Sequence, residues 1–212
     1  HDAGSIKKCA QCHLGSRCWQ AYSAGMTAAY LHTESAMTLH YTLRPCPLGW
    51  VLAAFTPKGI AAVALGDDGT ILLQALGQRF PLHQVAEAGA DYAAWGDAVL
   101  DAVSHPAKPH ALPLTVLCGT AFQQQVWKAL AKIEPGTTVT YQALAQSMGR
   151  PQAVRALANA CGANPWAVLV PCHRVLRSDG SVSGYRWGVA RKQWLLAQEG
   201  VEVAVKPNKM DV

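Results

Sequence analysis

Three clusters of helix-breaking residues, EPGTT at 134–138, Gly149 with Pro151, and Gly162 with Asn164, divide residues 119–164 into three short segments. This punctuation limits the possible folds more than any other feature of the chain. GTAFQQQVWKALAKI opens with Thr120 and Gln123 in capping-box spacing, and Phe122, Val126, Leu130 and Ile133 then recur at helical spacing. The pattern predicts a helix with one buried stripe. Tyr141 to Met148 reads as a second short helix stopped by Gly149, and PQAVRALANACGAN as a third, with Pro151 at its first position. Two helices joined by so short a turn make a helix-turn-helix candidate.

The third helix carries Ala153, Ala156, Ala158, Ala160 and Gly162, so its surface is low. Such a surface suits either tight helix packing or the close approach of a nucleic-acid groove. Arg155, projecting from it, favours the groove.

Upstream the periodicity changes. Leu39 to Leu43, Gly49 to Phe55 and Ile60 to Leu65 read as short strands joined by two antiparallel connections, ending at the turn GDDG. Ile71 to Phe80 and Tyr92 to Val103 have helical spacing, the latter with Tyr92, Trp95, Val99 and Val103 on one face. Residues 37–104 are thus expected to form an α/β (α+β) domain with a small antiparallel sheet, and 119–205 a helical domain. SHPAKPHALPL, rich in Pro and His, marks residues 105–118 as a linker. Residues 206–212 are read as a tail, and 1–36, which lack sustained periodicity, as a leader or domain remnant.

Half of the 212 residues are hydrophobic, enough to build a core. No apolar run reaches membrane-spanning length and the first residues lack the apolar core of a signal peptide, so the expectation is a cytoplasmic protein without membrane contact. Seven cysteines, an odd number, read as reduced thiols. A net charge of +5 fits a polyanionic partner.

AVLVPCHRVLRSDG then places a thiol, an imidazole and a guanidinium after what reads as a buried strand. A thiol attacks only as thiolate, so a working Cys172 needs a base or a positive field nearby. On a strand His173 would point to the opposite face from Cys172; Pro171 suggests that a turn intervenes.

PCHRV, with Asn164 eight positions before the cysteine and SGYRWG after it, resembles the active-site signature of the O6-alkylguanine-DNA alkyltransferases. GTAFQQQVWKAL, TTVTYQALAQSMGRPQAVRALANACGANP and RKQWLLAQEG extend the resemblance over roughly residues 39 to 203. SGYRWGVARK and FQQQVW are most similar to the alkyltransferase half of bacterial Ada-type adaptive-response proteins.

The resemblance implies a ribonuclease H-like first domain and a winged-helix-like second one. It also implies direct-reversal repair, with one alkyl group moved from O6-alkylguanine, and from O4-alkylthymine, in double-stranded DNA to Cys172 in a single turnover. His173 would take the thiol proton through a water, Glu199 would orient the imidazole, Asn164 would bridge backbone groups at the turn, and Tyr141 would donate toward the leaving guanine. Arg155 would fill the stack left by the flipped nucleotide, with Ala153, Ala156, Gly162 and Thr120 on the same DNA-binding face. Val175, Ser183, Gly184, Tyr185, Arg186 and Trp187 would wall the pocket.

A monomer acting without cofactor or metal is expected. CAQCH matches a haem-attachment spacing, and Cys9, Cys12, His13 and Cys18 could supply soft metal ligands. Ada-type proteins carry a zinc-bound domain upstream, but the leader is too short to hold it whole. The alternative is an alkyltransferase-like protein that recognises lesions without repairing them; such proteins lack the acceptor cysteine, and Cys172 is present.

Overall fold

Alternating side chains from Leu39 onward build a three-stranded meander, β1 (Leu39–Cys46), β2 (Gly49–Thr56) and β3 (Gly59–Gly66). The computed structural model describes residues 37–182 and 184–203. β1 and β2, and β2 and β3, pair antiparallel across two-residue loops. A fourth strand, β4 (Val85–Glu87), which the sequence pattern did not announce, joins β1 in parallel and gives the order β3-β2-β1-β4. Three residues are too few to show a period.

β2 is apolar at consecutive positions because both of its faces are covered. Val51, Ala53 and Phe55 enter one core and Leu52 and Ala54 a second. On the second face lies α1 (Gly69–Arg79), seated by Leu72 and Leu76. Asp68 of the GDDG turn caps it, accepting from the amides of Thr70 at 2.7 Å and Ile71 at 3.3 Å, so the helix starts two residues before its first periodic side chain. On the other face, α2 (Ala93–Ser104) inserts Val99 and Val103.

The segment read as a linker lies along the edge of β3. The amide of Ile60 donates to Pro113 O at 2.8 Å, and that of Thr115 to Ile60 O at 2.9 Å. Gly59 permits the approach: a Cβ there would lie 2.5 Å from the Pro113 carbonyl oxygen.

The second half comprises α3 (Ala121–Leu130), α4 (Tyr141–Ser147), α5 (Val154–Gly162) and α6 (Val189–Gln198). β5 (Val139–Thr140) and β6 (Val175–Leu176) pair in parallel. Thr120 and Gln123 form the expected capping box. The third helix begins at Val154, later than expected: Pro151–Ala153 is a 3-10 turn, because the residue before a proline is pushed out of helical geometry and Arg150 sits at φ −131°.

The buried strand expected before Cys172 is absent. Residues 167–170 form turns instead, and Val168 has φ +66°, the one positive φ among described non-glycine residues. Ala167, Val168 and Val170 are nevertheless buried and Leu169 is half-buried, which is what the run of hydrophobic letters reported. Val126, Leu130, Leu157, Trp166, Val170, Cys172 and Val175 share a core with Phe55, Ile60 and Val63 of the sheet. No helix among the described residues is long and apolar enough to cross a membrane.

Candidate active site

Asn164 closes α5 and organises the turn that follows. Its Oδ1 accepts from the amide of Trp166 at 3.0 Å, while its Nδ2 donates to Trp166 O, Val170 O and Cys172 Sγ at 3.2, 2.8 and 3.3 Å. One buried amide therefore fixes both ends of the loop and touches the sulfur. Trp166 is clamped in turn: its Nε1 donates to Ile60 O at 2.8 Å, and the amides of Val63 and Ala167 bond across to Pro165 O and Val63 O. The sheet thus holds the segment that presents the cysteine.

Cys172, His173 and Arg174 occupy a 3-10 turn directly before β6, all three buried. His173 Nε2 lies 2.8 Å from Glu199 Oε1, with both side chains sealed from solvent. Its Nδ1 is buried with no partner among the described residues. Arg174 grips the same carboxylate, Nε at 3.0 Å from Oε2 and NH2 at 2.9 Å from Oε1, and its guanidinium also reaches the carbonyls of Ile133 and Pro106. The amide of Gly136 donates to Glu199 Oε2 at 3.3 Å.

Burial pushes the Glu199 carboxyl up, but hydrogen bonds and charge from His173 and Arg174 outweigh it and hold the group below its ordinary range. Burial lowers the His173 pKa against the opposing pull of Glu199. The pair is therefore a neutral imidazole donating Nε2–H to a carboxylate, which leaves Nδ1 as the basic nitrogen. The Cys172 thiol is raised by burial, opposed by the Asn164 hydrogen bond and the charge of Lys192.

Cys172 lines a cavity of about 130 Å³ together with Tyr141, Ala158, Cys161, Gly162, Gly184, Tyr185 and Arg186. Its size approaches the roughly 150 Å³ that accommodates a single benzene ring. A larger cavity of about 230 Å³ lies behind the turn, bordered by Pro106, His110, Glu134 and Arg174, but Cys172 is not among its walls.

The structure brings together Cys172, His173, Glu199 and Asn164, with Tyr141 across the cavity. Of the other expected wall residues, Gly184, Tyr185 and Arg186 line the space. Trp187 stands behind Tyr185 at a ring-centroid distance of 5.1 Å, and Val175 is buried in β6. Arg155, Ala156, Gly162 and Thr120 are exposed and Ala153 is half-buried, which puts most of the expected DNA face at the surface. Ser183 and the Cys9, Cys12, His13 and Cys18 set lie outside the described residues, which themselves contain no cluster of metal-ligating side chains.

Two buried cations beside the cysteine turn, Arg174 and Lys192, are not among the site residues that the sequence motif implies. Lys192 lies in RKQW, yet Lys192, Leu195, Leu196 and Glu199 fall at one helical period, a signal that two charged residues share a buried face.

The family profile described as 6-O-methylguanine DNA methyltransferase, DNA binding domain, matches residues 121–201. The bifunctional transcriptional activator/DNA repair enzyme Ada of Escherichia coli is 47% identical over 176 residues, covering 82% of this chain and 49% of that protein. A methylated-DNA--protein-cysteine methyltransferase of Salmonella typhimurium is 45% identical over 111 residues, 52% of this chain and 59% of that protein. The chain thus spans about half the length of the curated relatives it matches. The crystal structure of Mycobacterium tuberculosis O6-methylguanine methyltransferase superposes with a TM-score of 0.61 at 30% identity, over 76% of this chain and 92% of that one. The same enzyme in complex with DNA superposes with a TM-score of 0.59.

Proposed function

This chain belongs to the O6-methylguanine-DNA methyltransferase family, and from that premise we propose that it repairs alkylated DNA by direct reversal, with Cys172 as the acceptor. The observation that carries the reading is the position of the Cys172 sulfur. It lies at the wall of a ring-sized cavity, held by Asn164 and followed immediately by an imidazole that is backed by a buried carboxylate.

The Cys172 thiol proton passes through a bridging water to His173 Nδ1 while Glu199 stabilises the imidazolium that forms. The sulfur attacks the alkyl carbon, the S–C bond forms, the C–O6 bond breaks, and its electron pair stays on the purine. Tyr141 donates toward the leaving base, and the proton lost by the thiol finally resides on guanine. The resulting thioether carries no activated leaving group, so the alkyl group stays on Cys172 and each molecule reacts once.

O6 of guanine cannot meet a buried sulfur while the base is stacked, so the nucleotide must flip out. α5 and the 3-10 turn before it offer the surface for that event: it is low at Ala153, Ala156 and Gly162, flanked by Thr120, and bears the exposed Arg155 to fill the vacated stack. The cavity widens beyond one ring as the purine enters. O4-alkylthymine, which presents the same alkyl–oxygen bond on a smaller ring, is a second substrate.

The protein acts as a cytoplasmic monomer on double-stranded DNA and needs no cofactor. The strand order β3-β2-β1-β4, with one parallel pair beside an antiparallel meander, supports a ribonuclease H-like first half. The α4–α5 pair with the small β5–β6 sheet supports a winged-helix-like second half. Incubation with a duplex containing one O6-methylguanine tests the proposal: intact mass should rise by one CH2, located on Cys172 by peptide mapping, and methyl retained on the DNA with excess protein overturns it.

A further inference from the structure

Lys192 is the largest charged side chain among the fully buried residues. Its Nζ donates to the carbonyl of Val175 at 2.6 Å, and no carboxylate among the described residues pairs with it. An ammonium taken out of water without a counter-charge is expensive, and groups of this kind cluster at functional sites. The group lies against the cysteine turn: Val175, whose carbonyl it holds, directly follows that turn, and the charge of Lys192 acts on Cys172, His173 and Cys161.

We infer that Lys192 is a positioning residue for alkyl transfer, its buried ammonium supplying the positive field in which the Cys172 thiolate develops and fixing the Val175 carbonyl where β6 leaves the cysteine turn. The inference rests on the repair reading but concerns a separable property, the reactivity of the sulfur itself. His173 removes the proton, whereas Lys192 lowers the cost of the charge left behind. A neutral thiol beside Lys192 leaves the ammonium uncompensated, and a thiolate supplies its missing partner.

The pH dependence of that field is distinctive. Burial lowers the Lys192 pKa to about 8, with the thiols of Cys172 and Cys161 acting to raise it. The other groups that face Cys172 are Arg186 and Asn164, which favour the thiolate, the imidazole of His173, the Tyr141 and Tyr185 hydroxyls and the Cys161 thiol. Burial holds Cys161 and Tyr185 protonated, so a downward bend above pH 8 that disappears when Lys192 is replaced by arginine is the mark of Lys192.

The test uses the full chain and iodoacetamide, a small neutral alkylating agent, with labelling of Cys172 followed by peptide mass between pH 6 and 10. Methyl transfer from an O6-methylguanine duplex is measured in parallel. Lys192→Gln keeps a donor for Val175 and removes the charge; both reactions should slow about tenfold or more at pH 7, the effect of a shift of roughly one pH unit in the thiol titration. Lys192→Arg keeps the charge at all these pH values, so its profile should rise with pH and lack the downward bend of the wild type above pH 8.

A folded Lys192→Gln protein with wild-type rates and profile overturns the inference. If that variant does not fold, superimposable profiles of Lys192→Arg and wild type above pH 8 overturn it equally. A wild type that accepts iodoacetamide with the Lys192-dependent profile but never removes methyl from DNA defeats the repair reading and leaves the role of Lys192 intact.

Discussion

His173 and Glu199 meet at 2.8 Å with neither side chain exposed, although 26 positions separate them in sequence. Arg174, next to His173, holds the same carboxylate from the other side, so one acid from the end of α6 aligns two neighbouring residues of the cysteine turn. Glu199→Gln should therefore do two kinds of damage. Methyl transfer should fall by roughly 100-fold or more, the lower range of general-base contributions. The midpoint of denaturant unfolding should also drop, because Arg174 is left as a buried unpaired charge, a loss of ~3–5 kcal/mol. A variant with full transfer rate would remove Glu199 from the relay.

Removing the sulfur separates chemistry from recognition. Cys172→Ala should show no transfer in a single-turnover assay, while gel-shift affinity for the O6-methylguanine duplex stays within about threefold of wild type, since the change leaves the α5 surface untouched. Residual stoichiometric transfer would assign the acceptor to another thiol.

Arg155 is exposed on a helix of small residues, with no role in the core. Replacing it by Ala should slow repair of duplex DNA roughly tenfold, because extrusion of a stacked base costs a few kcal/mol that the guanidinium partly offsets. Reaction with the free O6-methylguanine base requires no extrusion and should be unchanged. Equal losses on both substrates would argue for a structural role instead.

Acid should unfold the protein through the same pair of residues. His173 is held neutral below its ordinary 6.5 and Glu199 ionised below its ordinary 4.5. In both cases the unfolded chain binds the proton more readily, so the associated stability is present above the ordinary value and disappears as pH falls through the folded one. Melting temperature should begin to fall below pH 6.5 and fall more steeply below 4.5. Glu199→Gln should lack the second, steeper component; a wild-type curve flat to pH 4 would contradict the assignment.

Wherever a local rule and a tertiary demand agreed, the sequence was readable. The Thr120 capping box, the three strands of the meander, and the helix stop at Gly149 are all local, and the structure contains them. The apolar run before Cys172 misled because burial alone does not distinguish a strand from a packed loop. Asn164 replaces the missing ladder bonds with its own amide, and Val168 is held at a positive φ that no residue preference announces. β4, β5 and β6 have two or three residues each and exist only because a partner strand lies beside them. The pairing of His173 with Glu199 was visible only through family resemblance, whereas the buried stripe of α6, with Lys192 and Glu199 at one period, was open to direct reading.

The proline-rich crossing and the cysteine-bearing segment share one edge of β3, the first bonding at Ile60 and the second at Val63. A nick between residues 105 and 111 would consequently fail to liberate a freestanding catalytic fragment, since each piece would lay bare the apolar surface that the other had covered. Two such fragments, inert apart, should regain activity on mixing, which makes that crossing the natural place to split the molecule for a complementation reporter.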